Sequence, residues 1–214
     1  MKCFILLFVI TKAIVIGVLI TFILSPPNIV YGQDVGPSKP AGSSASREAA
    51  ALFNNVPTRL TFAEKDQIAK DLGFVLSTDK QQPFAQDAES LDYPFAARTL
   101  PTDMNQDGNE EIFVLYGNSF TSGATGASVV LFVKDAKGKY RINLGFPGLP
   151  GIMPALNGGY NDLLIGGTGF EFPVWRWNGR EYTHYKTIRD SDLEKIRIRE
   201  VEDLSSEYTS TLRK

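Results

Sequence analysis

Cysteine and histidine are nearly absent from this chain: Cys3 and His184 are the only ones among 214 residues. One imidazole cannot build a histidine-rich zinc site, and one thiol cannot make a disulfide framework. A serine nucleophile would have to recruit His184 as its base, yet no G-x-S-x-G element is present. Basic surplus is also missing, with 22 Lys and Arg against 24 Asp and Glu, so no electrostatic footprint for nucleic acid exists. Long apolar runs are scarce too. The best, Ala13 to Leu24, is twelve residues without a charge, the length of a signal-peptide core and short for a membrane span.

That run suggests an export leader. Lys2 and Lys12 flank the first apolar stretch, Ser25-Pro26-Pro27 ends the second, and Val30 and Gly32 occupy the small-residue positions before a cleavage point. Residues 1–32 therefore read as a signal peptide, with the mature chain starting near Gln33 in a periplasmic or secreted setting. The rival reading makes Cys3 to Leu24 one uncleaved anchor, the only route to a membrane. It would bury Lys12 at a cost of about 3 kcal/mol. Cleavage removes Cys3 and two of the basic residues, leaving 20 against 24 acids and a net charge of −4. Such an exported domain must hold together by its core, helped by an ion if one binds.

Residues 33–46 are rich in Gly, Pro, Ser and Ala and read as a flexible linker; residues 47–214 read as one α+β domain. Thr61-Phe62-Ala63-Glu64 is a capping box, Ile68 and Leu72 share a helical face, and Gly73 suits a left-handed cap, so a helix is predicted over 61–72. Residues 77–98 are polar and turn-rich. Strands are predicted at 111–116, 127–134, 139–144, 162–166, 173–177 and 181–187, giving an antiparallel β-meander, a blade-like sheet of about six strands. Asn178-Gly179 predicts a type I′ hairpin turn. Residues 145–159, full of Gly and Pro, read as a long irregular loop. A second capping box at Ser191–Glu194 predicts a short C-terminal helix, although Lys195–Arg199 also alternates like a strand.

The strongest local signal is Asp103-Met104-Asn105-Gln106-Asp107-Gly108-Asn109-Glu110-Glu111. Oxygen-bearing side chains stand at positions one, three and five, glycine at six and an acid at nine. A hard cation such as Ca²⁺ takes six to eight oxygens, and one short loop with this spacing can supply them. The twelfth position, where an EF-hand carries its bidentate glutamate, is Val114, and a strand rather than a helix follows. The competing explanation is an acidic turn whose Asp and Asn side chains satisfy local amides.

With its acid at position nine and a strand beginning there, the loop resembles the calcium loops of FG-GAP and VCBS repeats, found in integrin-type β-propellers and many secreted bacterial proteins. That resemblance implies Asp103, Asn105, Asp107 and Glu111 as side-chain ligands and Asn109 as a carbonyl donor, with Gly108 permitting the turn. It covers about 15 residues closely and runs loosely to residue 145. The motif occurs once, whereas a propeller needs several copies, so the resemblance implies one blade-like sheet and brings no activity with it.

Other constellations have plainer readings. Trp175 and Trp177 share one face of a predicted strand and are expected to fill the core, the alternative being a platform for a sugar or peptide. Gly166-Gly167-Thr168-Gly169 lacks the helix that a phosphate loop requires and reads as a turn. Residues 118–126 read as a flexible loop. Two function classes remain: a non-catalytic calcium-binding module that presents a sheet to a protein or glycan partner, or a calcium-dependent hydrolase of envelope polymers working through paired acids.

Overall fold

The computed structural model describes residues 44–213. The expected leader and all but the end of the linker lie outside them. Among the described residues no helix is long and apolar enough to cross a membrane.

Helix α1 (Arg47–Leu52) begins at Ser46, whose hydroxyl accepts the Ala49 amide. Helix α2 (Phe62–Leu72) has the predicted ends: Thr61 and Glu64 form the reciprocal capping box, and Gly73 closes the helix in the left-handed conformation. Two short strands, β1 (Val75–Leu76) and β2 (Phe84–Ala85), pair with each other. Strands β3 (Ala97–Thr102), β4 (Glu111–Tyr116), β5 (Ser128–Lys134) and β6 (Tyr140–Pro147) then form one antiparallel sheet in chain order. Helix α3 (Ser119–Ser122) lies between β4 and β5, so residues 118–126 contain a capped turn of helix rather than a plain loop. They also follow the end of β4 remote from the 103–111 loop.

Strands β7 (Leu149–Asn157), β8 (Tyr160–Gly166), β9 (Glu171–Trp177) and β10 (Tyr182–Arg189) continue the meander in a second sheet. Helix α4 (Asp190–Leu193) leads to β11 (Arg199–Glu200), which pairs with β7, and α5 (Val201–Leu212) ends the chain. The α+β class, the antiparallel meander and the N- and C-terminal helices are thus observed. The strands do not make one blade of about six; they divide into a four-stranded and a five-stranded sheet.

Packing explains the division. Phe113, Leu115, Val129 and Leu131 from the first sheet meet Ile152, Tyr160, Leu163 and Ile165 from the second in an inner core. The opposite face of the first sheet, with Ile112, Val114, Val130 and Phe132, is covered by Leu52, Ile68 and Phe74 of the α1–α2 region. Both faces of β4 and β5 are therefore buried, which is why their sequences are continuously apolar instead of alternating. The outer face of the second sheet packs Leu164, Phe172 and Val174 against Leu193, Ile196 and Ile198.

Four sequence expectations are corrected here. Residues 145–159 are not an irregular loop: they supply the end of β6 and all of β7, with Pro147 and Pro150 at paired positions opposite Ser128 and Ile165 and Pro154 inside the register shift between Ile152 and Leu156. Strand β3 lay unrecognised because Pro101 and polar residues mask it, and as an edge strand it tolerates the proline. A single helical turn, α4, does stand at Asp190–Leu193, but without the expected side-chain cap, and it does not run on: the C-terminal helix α5 starts at Val201. Ile196 and Ile198 are instead drawn onto the second sheet, and a Cβ on Gly151 would lie 2.5 Å from Ile198 Cγ2. Finally, the β9–β10 connection is not a type I′ turn, since only Gly179 takes positive φ. Asn178 acts through its side chain, accepting the Arg180 and Glu181 amides at 3.0 Å each.

Candidate functional site

The 103–110 segment is the hairpin loop between β3 and β4, whose last rung pairs Thr102 with Glu111. Pairing there fixes the loop's two ends and places position nine at the root of a central strand. Within the loop Gln106 and Gly108 take positive φ, 58° and 84°. The resulting tight coil turns its oxygens toward its own amides. Asp103 accepts the Gly108 amide at 3.4 Å, Asn105 accepts the Asp107 amide at 3.2 Å, and Asp107 accepts the Asn109 amide at 2.7 Å. Two more bonds, from Asn105 Nδ2 and Asn109 Nδ2, also end on Asp107. An acidic turn needs these bonds; a cation loop uses the same ones to hold its ligands in place.

Glu111 differs from the others. Its residue is only 2 % exposed, and its carboxylate accepts the Met104 amide at 2.7 Å. Burial raises its pKa to about 8; the Met104 amide and the Tyr160 hydroxyl oppose the rise, and the charges of Asp103 and Asp107 add to it. Tyr160, on β8 of the other sheet, is itself pushed upward by burial and by Glu111. Asp107, Asn109, Glu111, Lys134, Asp135 and Tyr160 line an open cavity of about 370 Å³. The structure thus brings Asp103, Asp107 and Glu111 into one electrostatic neighbourhood, with Asn105 and Asn109 bonded to Asp107. Among the described residues no three Asp, Glu, His or Cys side chains are closed into a metal cage.

The Glu111 shift has a consequence for chelator-treated protein. The unfolded chain ionises this carboxyl near 4.5 and the folded chain near 8, so between those values the folded state holds more protons. Its contribution to stability is complete below pH 4.5 and is lost as pH rises toward 8, by at most about 1.4 kcal/mol per pH unit. Asp107, whose pKa is lowered, acts only at acid pH and does not oppose this trend. Urea denaturation in EDTA from pH 5 to 8 is expected to show stability falling, and Glu111→Gln is expected to flatten the curve.

Tyr160 and Glu110 escaped the sequence reading. Tyr160 comes from the β7–β8 turn, which approaches the loop so closely that a Cβ on Gly159 would stand 3.1 Å from Asn105 Cβ; Gly159 also has φ of +87°. That Gly158-Gly159 pair was the available signal. Glu110 neighbours Glu111, but adjacent residues of extended chain point opposite ways. Its carboxylate accepts the Arg59 amide at 2.9 Å, the Tyr208 hydroxyl at 3.0 Å and the Thr58 hydroxyl. Glu110 therefore ties the segment before α2 to α5, away from the loop.

The remaining candidates lie outside the loop. Trp177 packs tilted against Tyr160, ring centroids 4.2 Å apart, and Trp175 likewise against Phe146 at 4.6 Å, both half-buried against the inner core as expected. Gly166 ends β8, and Gly167, Thr168 and Gly169 lie in the β8–β9 connection. His184 is exposed, with Thr187 Oγ1 at 3.4 Å as its hydrogen-bond neighbour. Buried Asp162 is held by Arg176, Nη2 to Oδ2 at 2.7 Å and Nε to Oδ1 at 3.0 Å. No protein-family model, curated protein or solved structure matches this chain.

Proposed function

We propose that the protein is an exported, non-catalytic calcium-binding module, in which the ion orders the 103–111 loop and stiffens a sheet that engages a protein or glycan partner. What supports this reading is the loop itself: bonds to its own amides hold Asp103, Asn105 and Asp107 around the turn, and Glu111 sits buried at its base, where the charges of Asp103 and Asp107 add to its raised pKa. Such crowding is unfavourable without a cation and is relieved by one. Asn105 supplies a neutral oxygen at the intervening position, and Asn109 stands where the FG-GAP and VCBS pattern places a backbone carbonyl. Oxygen donors without nitrogen or sulfur suit a hard cation, and a loop of this flexibility suits Ca²⁺ over Mg²⁺.

The non-catalytic reading draws support from the two buried acids outside the proposed ligand set. Glu110 and Asp162 are committed to hydrogen bonds and an ion pair that tie elements of the fold together. Isothermal titration is the direct test. One calcium per chain is expected, with Kd on the order of 10⁻⁴ M as in extracellular modules. Asp103→Ala is expected to abolish the heat. Absence of binding by the unaltered protein would overturn the proposal.

A further inference from the structure

A groove of about 650 Å³ opens between the two sheets, where the edge strand β6 faces the β9–β10 turn. Its walls combine apolar and cationic groups. Ile142, 51 % exposed, and the half-buried Trp177, which packs on Tyr160 on its core side, give it an apolar surface. Around them stand Lys134, Lys137, Arg141 and Arg180, against only Asp135 and Glu181. This is a local excess of positive charge on a protein whose net charge is −2. Lys134 is committed to Glu64 at 2.9 Å and Arg141 to Asp135 at 3.1 Å. Lys137 and Arg180 have no ion pair among the described residues, and both are exposed, one in the β5–β6 turn of the first sheet and the other in the β9–β10 turn of the second.

We infer that this groove binds an acidic saccharide, a chain carrying uronate carboxylates, with sugar rings against Trp177 and Ile142 and carboxylates between Lys137 and Arg180. The C–H face of a pyranose packs on an indole as other apolar surfaces do, and a guanidinium fork matches a carboxylate. A peptide strand is the poorer fit. Adding one to β6 requires an unbroken edge, and β6 carries a register shift at Asn143, which lies between the partners of Leu131 and Phe132. That bulge aims Asn143 at the other sheet, where its side chain accepts the Tyr182 amide at 2.8 Å. The assignment names the partner class for the proposed module and rests on that reading for the partner-binding role alone.

Binding of oligogalacturonate, measured by isothermal titration, tests it. Saturable binding is expected, weakening as salt is raised, with no response to a neutral maltooligosaccharide. Lys137→Glu combined with Arg180→Glu, two exposed turn positions, is expected to weaken binding at least tenfold while the melting curve is kept. No binding by the unaltered protein, or binding that the double variant leaves unchanged, would overturn the groove assignment. Equal binding of polyglutamate would assign the groove to acidic peptides instead. Calcium-dependent melting of the same samples without saccharide reports ion loading separately, so the groove can fail while the calcium reading stands.

Discussion

Calcium added to chelator-treated protein is expected to raise the melting temperature by about 5–10 °C. An ion that binds only the folded loop stabilises by mass action, about 2.7 kcal/mol at a hundredfold excess over Kd. In a domain of this size each kcal/mol moves the midpoint by about 2–4 °C. The physical source is specific: without an ion, burial first and the nearby charges of Asp103 and Asp107 second hold Glu111 toward its protonated form, and a bound cation favours the carboxylate instead. Mg²⁺ is expected to do less, because it gives up its water reluctantly and demands octahedral geometry. Asp103→Ala removes the first ligand and is expected to erase the shift. Identical curves in EDTA and in calcium would leave the loop as an acidic turn only.

Glu110→Ala is expected to cost about 3 kcal/mol or more, the second large effect, and to do so without touching the calcium response. The substitution strips an acceptor from the Arg59 amide, the Tyr208 hydroxyl and the Thr58 hydroxyl together. Each donor left unpaired in a partly buried place costs about 1–3 kcal/mol, offset where water can enter. Thr58 and Arg59 precede α2, and Tyr208 lies in α5, so one carboxylate ties together chain segments that are remote in sequence. Glu110→Gln keeps one acceptor and is expected to be milder. Chemical denaturation measures both, and calcium-dependent melting of Glu110→Ala separates a tether from a ligand. A folded variant that no longer responds to calcium would place Glu110 in the ion site.

These expectations divide according to what kind of interaction carries each residue. The α2 helix was legible because its signals are local: Thr61, Glu64 and Gly73 act within a few residues of one another. The 103–111 loop was legible for the same reason, since its oxygens bond to amides two to five residues away. The apolar runs of β4 and β5 likewise marked strands, and the α+β class followed from them. Sequence by itself determined these elements and the local turn that spaces Asp103, Asn105, Asp107, Asn109 and Glu111; the export leader it suggests lies outside the described residues.

Only the tertiary structure decided the rest. Whether six strands form one blade or two sheets depends on which faces find partners, and the helices covering Ile112 and Val114 answer that from more than 40 residues away in several cases. Strand β3 exists because β4 offers it an edge, despite Pro101. Residues 196–198 leave the helical path because the second sheet has an apolar outer face to cover. Tyr160 reaches Glu111 from the opposite sheet, and Glu110 turns to α5, by contacts that no local spacing encodes. Packing also buries Glu111 at the base of the loop and raises its pKa, because burial and the low dielectric that comes with it are properties of the packed whole.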